Sequence, residues 1–180
     1  MARVKQFLRL TALFACAGFY PVGTGWAAEH TAQCTQHPAP ALPPALAPWT
    51  SPTPVSAATQ PDGLNVALLT VGKAAQVTLH PTTDIQYSVR PEAPGGKVSS
   101  GGLLAFDTPD AGTYRVMLSG RAWLDVIAQG KVTDSTHHQH GPACSGIGKM
   151  VDFTLPAGRQ TIQISGSGTP TLEVMVIKVQ

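Results

Sequence analysis

Apolar and polar residues alternate with a period of two through most of the chain after Leu64. Clear examples are residues 74–79, 113–119 and 160–165, and clusters of Gly, Pro and Asp separate such runs. A period of two places successive side chains on opposite faces of a strand, and turns about every 8–12 residues are typical of sandwiches and barrels. The sequence therefore predicts, over residues 62–180, an all-β domain: an antiparallel, jelly-roll-like β-sandwich of about eight strands.

Two further segments have strand-like patterns that matter below. Residues 85–89 alternate, with Ile85, Tyr87 and Val89 on one face, so we expect a strand there. Residues 123–128 also alternate, and Trp123 and Asp125 face away from Leu124 in this pattern. We nevertheless expect Trp123, at the start of its strand, to be a core residue, with stacking on a sugar as the alternative.

The first 27 residues have the three parts of a cleavable secretory signal. Basic residues (Arg3, Lys5 and Arg9) come first, an apolar run over residues 8–19 follows, and small residues flank Trp26 before a cleavage point. The run is shorter than the roughly 20 apolar residues that span a bilayer. We therefore expect a periplasmic or secreted protein with no transmembrane segment after signal removal.

Two alternatives to a cleaved signal stay open. The segment could be retained as an anchor, or the protein could be a lipoprotein attached through Cys16, because Leu13-Phe14-Ala15-Cys16 is similar to a lipobox. Cleavage would remove three of the 12 basic residues and none of the 10 acidic ones, which leaves nine against ten. Such a balance lacks the basic footprint of a nucleic-acid-binding protein.

The two cysteines that follow the signal are Cys34 and Cys144. In an oxidising compartment, the simplest expectation for two cysteines is a disulfide bond. Residues 28–61, which contain the first of them, are rich in Pro and Ala. Each Pro removes a hydrogen-bond donor and fixes φ, so this segment is predicted to be an extended arm. Leu42, Leu46 and Trp49 could pin the arm to the domain.

One loop carries a dense cluster of chemically active residues. His137, His138 and His140 are half of the chain's six histidines. Imidazole is a common ligand of Cu and Zn, and in an extended segment His138 and His140 point to the same side. These three residues are the candidate metal ligands, with Cys144 as a further ligand if it were a free thiolate. A solvated polar loop and general acid-base chemistry are the alternatives.

Two turn-and-strand phrases, Asp110-Ala-Gly-Thr-Tyr-Arg-Val and Leu155-Pro-Ala-Gly-Arg-Gln-Thr-Ile, share one shape. They resemble phrases of bacterial pre-peptidase C-terminal domains and of galactose-binding-like carbohydrate modules. The resemblance covers about residues 100–180 and implies a jelly-roll fold. Only 6% of the residues are aromatic, which disfavours a flat sugar-binding platform.

A second resemblance rests on Gly101-Gly-Leu-Leu104 and on His138-x-His-Gly-Pro-Ala-Cys-x-Gly-Ile147. These segments resemble a group of short exported proteobacterial proteins, some of which are labelled homogentisate 1,2-dioxygenase. That label implies a metal-dependent oxygenase. The chain departs from the pattern of that enzyme, a larger cupin protein that holds iron with two His and one Glu, because no Glu lies near the His cluster in the sequence.

The sequence thus favours a non-catalytic binding or envelope-accessory module, whose partner is an unidentified ligand or envelope protein. The first alternative is a Cu- or Zn-binding protein that uses His137, His138 and His140. The second is a small metal-dependent oxygenase. No catalytic residue is predicted, because the five Asp residues after residue 100 form no obvious pair and the chain lacks a G-x-S-x-G elbow.

Overall fold

Two six-stranded β-sheets pack face to face in the described part of the protein, which comprises Cys34 and residues 41–179 of a computed structural model. Residues from 41 onward belong to one compact unit. The predictions for the signal, for Cys16 and for the start of the arm lie outside the described residues. No helix within the described residues is long and apolar enough to cross a bilayer.

The described residues form twelve strands and three short 3₁₀ helices. The strands are β1 (Thr53–Ser56), β2 (Leu68–Leu69), β3 (Ala74–Thr78), β4 (His80–Pro81), β5 (Ser100–Thr108), β6 (Gly112–Leu118), β7 (Trp123–Ala128), β8 (Lys131–Thr133), β9 (Ser135–Gln139), β10 (Lys149–Leu155), β11 (Gly158–Ser167) and β12 (Thr171–Val179). The helices are η1 (Pro44–Thr50), η2 (Pro61–Asn65) and η3 (Thr82–Asp84).

The first sheet has the strand order β1-β3-β12-β6-β10-β9, and the second has the order β2-β5-β11-β7-β8 with β4 also paired to β5. The pairs β1–β3 and β2–β5 are parallel, and the remaining pairs are antiparallel. The predicted sandwich is confirmed. Its additional strands are short edge segments of two to five residues, which are too brief to show a clear alternation in the sequence.

The main core lies between the sheets and follows the alternation of the long strands. Tyr114, Val116 and Leu118 of β6 are fully buried in this core, and Val126 of β7, in the second sheet, belongs to the same core. The hydroxyl of Tyr114 donates a hydrogen bond to the carbonyl oxygen of Asp110 at 2.9 Å. Burial of these side chains supplies the main stabilising contribution, of roughly 1.5–3 kcal/mol for each large apolar side chain.

Residues 41–61, predicted as part of an extended arm, instead fold against the outer face of the first sheet. They form η1 and the edge strand β1. Pro44 begins η1, where a missing N–H costs no hydrogen bond, and the edge position of β1 tolerates its proline. Leu46 and Trp49 are buried there in a second core with Ala74, Met117, Ile147, Met150 and Met175, as the predicted pinning requires.

The strand predicted over residues 85–89 is absent, and that prediction is wrong. This segment belongs to a loop, residues 85–98, that lies over β11 and is called the covering loop below. The backbone N–H of Val89 donates to Oε1 of Gln163 at 3.1 Å, and Nε2 of Gln163 donates to the carbonyl of Val89 at 3.0 Å. A buried side-chain amide therefore satisfies the backbone groups that a neighbouring strand would otherwise satisfy.

The predicted disulfide bond between Cys34 and Cys144 is confirmed. Cys144 has a φ of 58° in a loop that also contains Gly146 at 76°. Because its sulfur is committed to this bond, Cys144 is not available as a thiolate ligand for a metal. A structural disulfide is typical of an oxidising compartment outside the cytoplasm.

Candidate ligand-binding cleft

Strands β8 and β9 are the edges of the two sheets on the same side of the sandwich, and Asp134 alone connects them. The chain therefore passes from one sheet to the other within a single residue. A cleft of ≈ 740 Å³ opens between β7–β8 and β9–β10 at this edge. Its volume lies within the roughly 300–1,000 Å³ that is usual for small-molecule sites.

The floor of the cleft is apolar and is contributed by both sheets. Leu124 comes from β7, and Val151 and Phe153 come from β10. Each also belongs to the main core, so the floor is held by the packing of the whole sandwich. The rim is polar and contains Glu92, Asp125, Thr133, Asp134, Ser135, His138, Gln139, His140 and Lys149.

Trp123 stands at the mouth of this cleft. Its side chain is 36% exposed, and its indole Nε1–H donates to Oδ1 of Asp125 at 2.9 Å. The expectation that Trp123 is a core residue is therefore wrong, whereas Trp49 is buried. Residues i and i+2 of a strand share one face, so these two side chains lie side by side. The hydrogen bond between them fixes the orientation of the indole. A large aromatic surface is thus held open to solvent.

Two ionisable groups of the cleft have perturbed pKa values. Burial raises the pKa of the Asp125 carboxyl, a hydrogen bond from Trp123 lowers it, and the charge of Glu92 raises it further while that of Lys149 lowers it. Burial lowers the pKa of Lys149, and the charge of Asp125 partly restores it. Nζ of Lys149 also donates to the carbonyl of Ala122 at 2.6 Å. Perturbed groups in a cleft mark a candidate functional site.

A second recess of ≈ 580 Å³ adjoins the cleft and shares Trp123, His140 and Lys149 with it. Arg121 also lines this recess, and no Asp or Glu is among its described lining residues. Four of the eleven lining residues are glycines, Gly95, Gly120, Gly148 and Gly166. The cleft therefore continues into a cationic recess with little side-chain bulk.

The structure separates the three predicted metal ligands. His138 pairs with Val151 and His137 pairs with Asp152 across β9 and β10, so the two imidazoles lie on opposite faces of the sheet. His138 and His140 both line the cleft, as expected, and His137 is not among its lining residues. Within the described residues, no group of three or more His, Cys, Asp or Glu side chains is arranged to hold a metal. The three-histidine site stays a prediction.

The loop after β9 holds His140 in place. A ring nitrogen of His140, Nδ1, lies 3.0 Å from the carbonyl oxygen of Gly148. Gly141 is required beside it, because a Cβ there would lie 2.4 Å from the carbonyl oxygen of Ile147. Ile147 is in turn buried in the second core. The position of this imidazole is therefore tied to the packing beneath the loop.

Sequence reasoning missed Arg121, Lys149 and Glu92 as candidate site residues. Arg121 and Glu92 lie in loops, where nothing in the sequence indicates their proximity. Lys149 did carry a signal, because it has the same parity as the core residues Val151 and Phe153. A lysine at an inward-facing position at a strand end points to an opening in the core.

No family model matches this chain, and no curated protein matches it significantly. The function therefore has to follow from the chemistry of the cleft and not from relatives.

Proposed function

We propose that this protein is an exported, non-catalytic binding module that holds a small molecule in the cleft between β7–β8 and β9–β10. The observation that carries the proposal is the exposed indole of Trp123, fixed by Asp125 in the lining of a cleft that also includes apolar core side chains. Sites for small molecules combine an apolar lining with a few fixed polar groups that orient the ligand. Export is supported by the disulfide bond between Cys34 and Cys144.

The bonding of the polar side chains favours binding over catalysis. Lys149 is bonded to the carbonyl of Ala122, His140 contacts the carbonyl of Gly148, and Asp125 accepts from the indole of Trp123. Each group is thus held by a structural partner, whereas nucleophilic catalysis requires a nucleophile paired with a base. The arrangement positions hydrogen-bonding groups around one flat aromatic surface.

The test is a thermal-shift and titration screen of the mature protein against ring-bearing small molecules, namely neutral sugars, sugar acids, aromatic acids and nucleosides. We expect at least one class to raise Tm with dose and to lose this effect in Trp123→Ala. Val66→Ala is the matched control, because Val66 is an exposed apolar residue that does not line the cleft. Binding that is equal in wild type and Trp123→Ala would refute the proposal.

A second candidate function is transition-metal binding at the same cleft. What favours it is that His138 and His140 both line the cleft, so two imidazoles face one space. Titration with Cu²⁺ and Zn²⁺ tests it in wild type, in His138→Ala/His140→Ala and in His137→Ala. Weaker binding in the double variant alone would support this function, and equal loss in His137→Ala would indicate adventitious binding to a His-rich strand. The oxygenase alternative requires metal at this place, so the same titration tests its first requirement.

A further inference from the structure

We infer that the ligand of this module is a small organic anion, whose oxyanion lies in the recess lined by Arg121, Lys149 and His140 and whose ring lies against Trp123. This inference rests on the proposed function and adds the chemical class of the ligand. The evidence is the distribution of charge along the cleft and its recess.

The cations of the recess form no close ion pair within the described residues, although the charge of Asp125 acts on Lys149. The three ion pairs found in the described residues are Arg115–Asp152, Arg159–Asp107 and Lys178–Asp110, so neither Arg121 nor Lys149 takes part in one. The described lining of the recess includes no Asp or Glu. A carboxylate or sulfate that entered it would supply the missing partner and would make charge-assisted hydrogen bonds.

The glycines of the recess leave room for a ligand. Gly120 and Gly148 lie against each other, since a Cβ on Gly148 would be 3.4 Å from the backbone nitrogen of Gly120 and 2.8 Å from the carbonyl oxygen of Ser119. Glycine at position 148 is therefore required for this close contact between the two loops, and the glycines around it keep the recess free of side chains.

The charge changes sign along the combined cleft, which gives a bound anion one orientation. Glu92, Asp125 and Asp134 line the large cleft, and Arg121 lines only the recess. Trp123, His140 and Lys149 lie at the junction. An anion is repelled from the acidic end and attracted to the basic end, so its ring is left beside the indole.

The partial burial of Lys149 favours an anionic ligand beside it. Burial disfavours its ammonium form and lowers its pKa, and Asp125 offsets this only in part. The charged and titratable groups that line these spaces with it are Glu92, Arg121, Asp125, Asp134, His138 and His140. An oxyanion within reach would favour the charged form of the lysine again, which couples binding to its protonation.

The experiment compares acids with uncharged partners of the same shape, by calorimetry at pH 7 and low salt. The first pair is galacturonate and its methyl ester, and the second pair is benzoate and benzamide. We expect the acid of at least one pair to bind about ten-fold more tightly than its partner, because a hydrogen bond to a charged group is stronger than a neutral one. The pair with the tighter acid identifies whether the ring is a sugar or an aromatic.

Charge-removing variants locate the oxyanion. Arg121→Gln and Lys149→Gln should each weaken binding of the acid by about ten-fold and binding of the uncharged partner by much less than that. Lys131→Gln is the matched control, because Lys131 is an exposed cation of the β7–β8 hairpin that lines neither space. Lys131→Gln should bind the acid as wild type does.

Three results would overturn the inference. These are equal affinity for acid and uncharged partner, acid binding that is the same in wild type and both charge variants, and no acid binding up to about 10 mM. None of them requires failure of the proposed function, because binding of neutral molecules that depends on Trp123 would still support a small-molecule cleft. Loss of all Trp123-dependent binding would instead refute the proposed function itself.

Discussion

The buried side chain of Gln163 links the stability of the sandwich to the shape of its candidate site. Its amide bonds both backbone groups of Val89, at 3.1 and 3.0 Å, and so holds the covering loop on β11. Two residues farther along β11, the hydroxyl of Ser165 donates to the carbonyl of Ala93 at 2.9 Å. Ala93 and Gly95 of this loop line the recess, so we predict that Gln163→Leu weakens both folding and ligand binding.

The expected loss follows from these contacts. Leu has nearly the volume of Gln, so the substitution removes two hydrogen bonds without opening a large cavity. Each bond contributes about 1–1.5 kcal/mol, and a buried group left unpaired costs roughly 1–3 kcal/mol. Val89 is only half-buried, so its groups can regain water if the loop lifts. We therefore expect the free energy of unfolding to fall by about 2–3 kcal/mol, which is the loss of the two bonds without a further penalty for unpaired buried groups.

Urea unfolding and amide hydrogen exchange together measure this effect. The midpoint of unfolding should fall, and the Val89 amide should exchange about 30-fold faster if the loop opens by about 2 kcal/mol more easily. Gln86→Leu is the matched control, because Gln86 lies in the same loop with its side chain exposed. A loss below about 0.5 kcal/mol with unchanged Val89 protection would refute the assignment of Gln163 as the anchor.

Three more predictions concern other contacts. Asp152→Ala should lower the free energy of unfolding in urea by about 3 kcal/mol, because the largely buried guanidinium of Arg115 loses the carboxylate that accepts two hydrogen bonds from it, at 2.6 and 2.8 Å. Arg115→Met/Asp152→Leu should recover most of this loss, and equal losses in both variants would contradict the prediction. The disulfide bond between Cys34 and Cys144 closes a loop of about 110 residues, so its reduction should lower the free energy of unfolding by about 4–5 kcal/mol in the chain-entropy model. A difference under about 1 kcal/mol between the oxidised and the reduced mature protein would refute that account. The raised pKa of Asp125 means that the folded state binds this proton more tightly than the unfolded state does. Wild type should therefore lose stability relative to Asp125→Asn as the pH rises from about 4 through that pKa. Parallel curves of unfolding free energy against pH for the two proteins between about pH 4 and 7 would contradict this.

The sandwich could be predicted from the sequence because most of the long strands bury one face in the main core, which makes apolar and polar residues alternate. Tyr114, Val116 and Leu118 share one face of β6 and are completely buried in the main core, while Met117 on the other face is buried in the second core. Residues 85–89 have the same alternation and form no strand, because the groups that bond them belong to Gln163, 74 residues away in the sequence. Periodicity reports which side of a segment is apolar, but it carries no information on what satisfies the backbone.

The candidate site was harder to predict because it depends on contacts between segments that are distant in the sequence. The alternation in β7 already placed Trp123 opposite Leu124, and the preference for a buried Trp overrode that signal. The two-residue spacing of Trp123 and Asp125 was visible, but their hydrogen bond depends on side-chain geometry. Arg121 joins His140 only because the loop before β7 meets the loop after β9. Sequence spacing does not encode that meeting.

The cleft exists because polar side chains occupy inward-facing positions at one edge of the sandwich. His138 lies opposite the core residue Val151, and Lys149 has the same parity as Val151 on β10. Burying an imidazole and an ammonium between two apolar sheets would cost more free energy than closer packing of the sheets would contribute, so the edge stays open to water. Elsewhere in this sheet, Lys178 has the inward parity only at a strand end, where it is exposed and paired with Asp110, and the buried Asp152 is on the outer face and paired with Arg115. Apolar residues at positions 138 and 149 would let the sheets close on each other and would add stability. The chain carries polar side chains there at the expense of stability, as the proposed binding function would require.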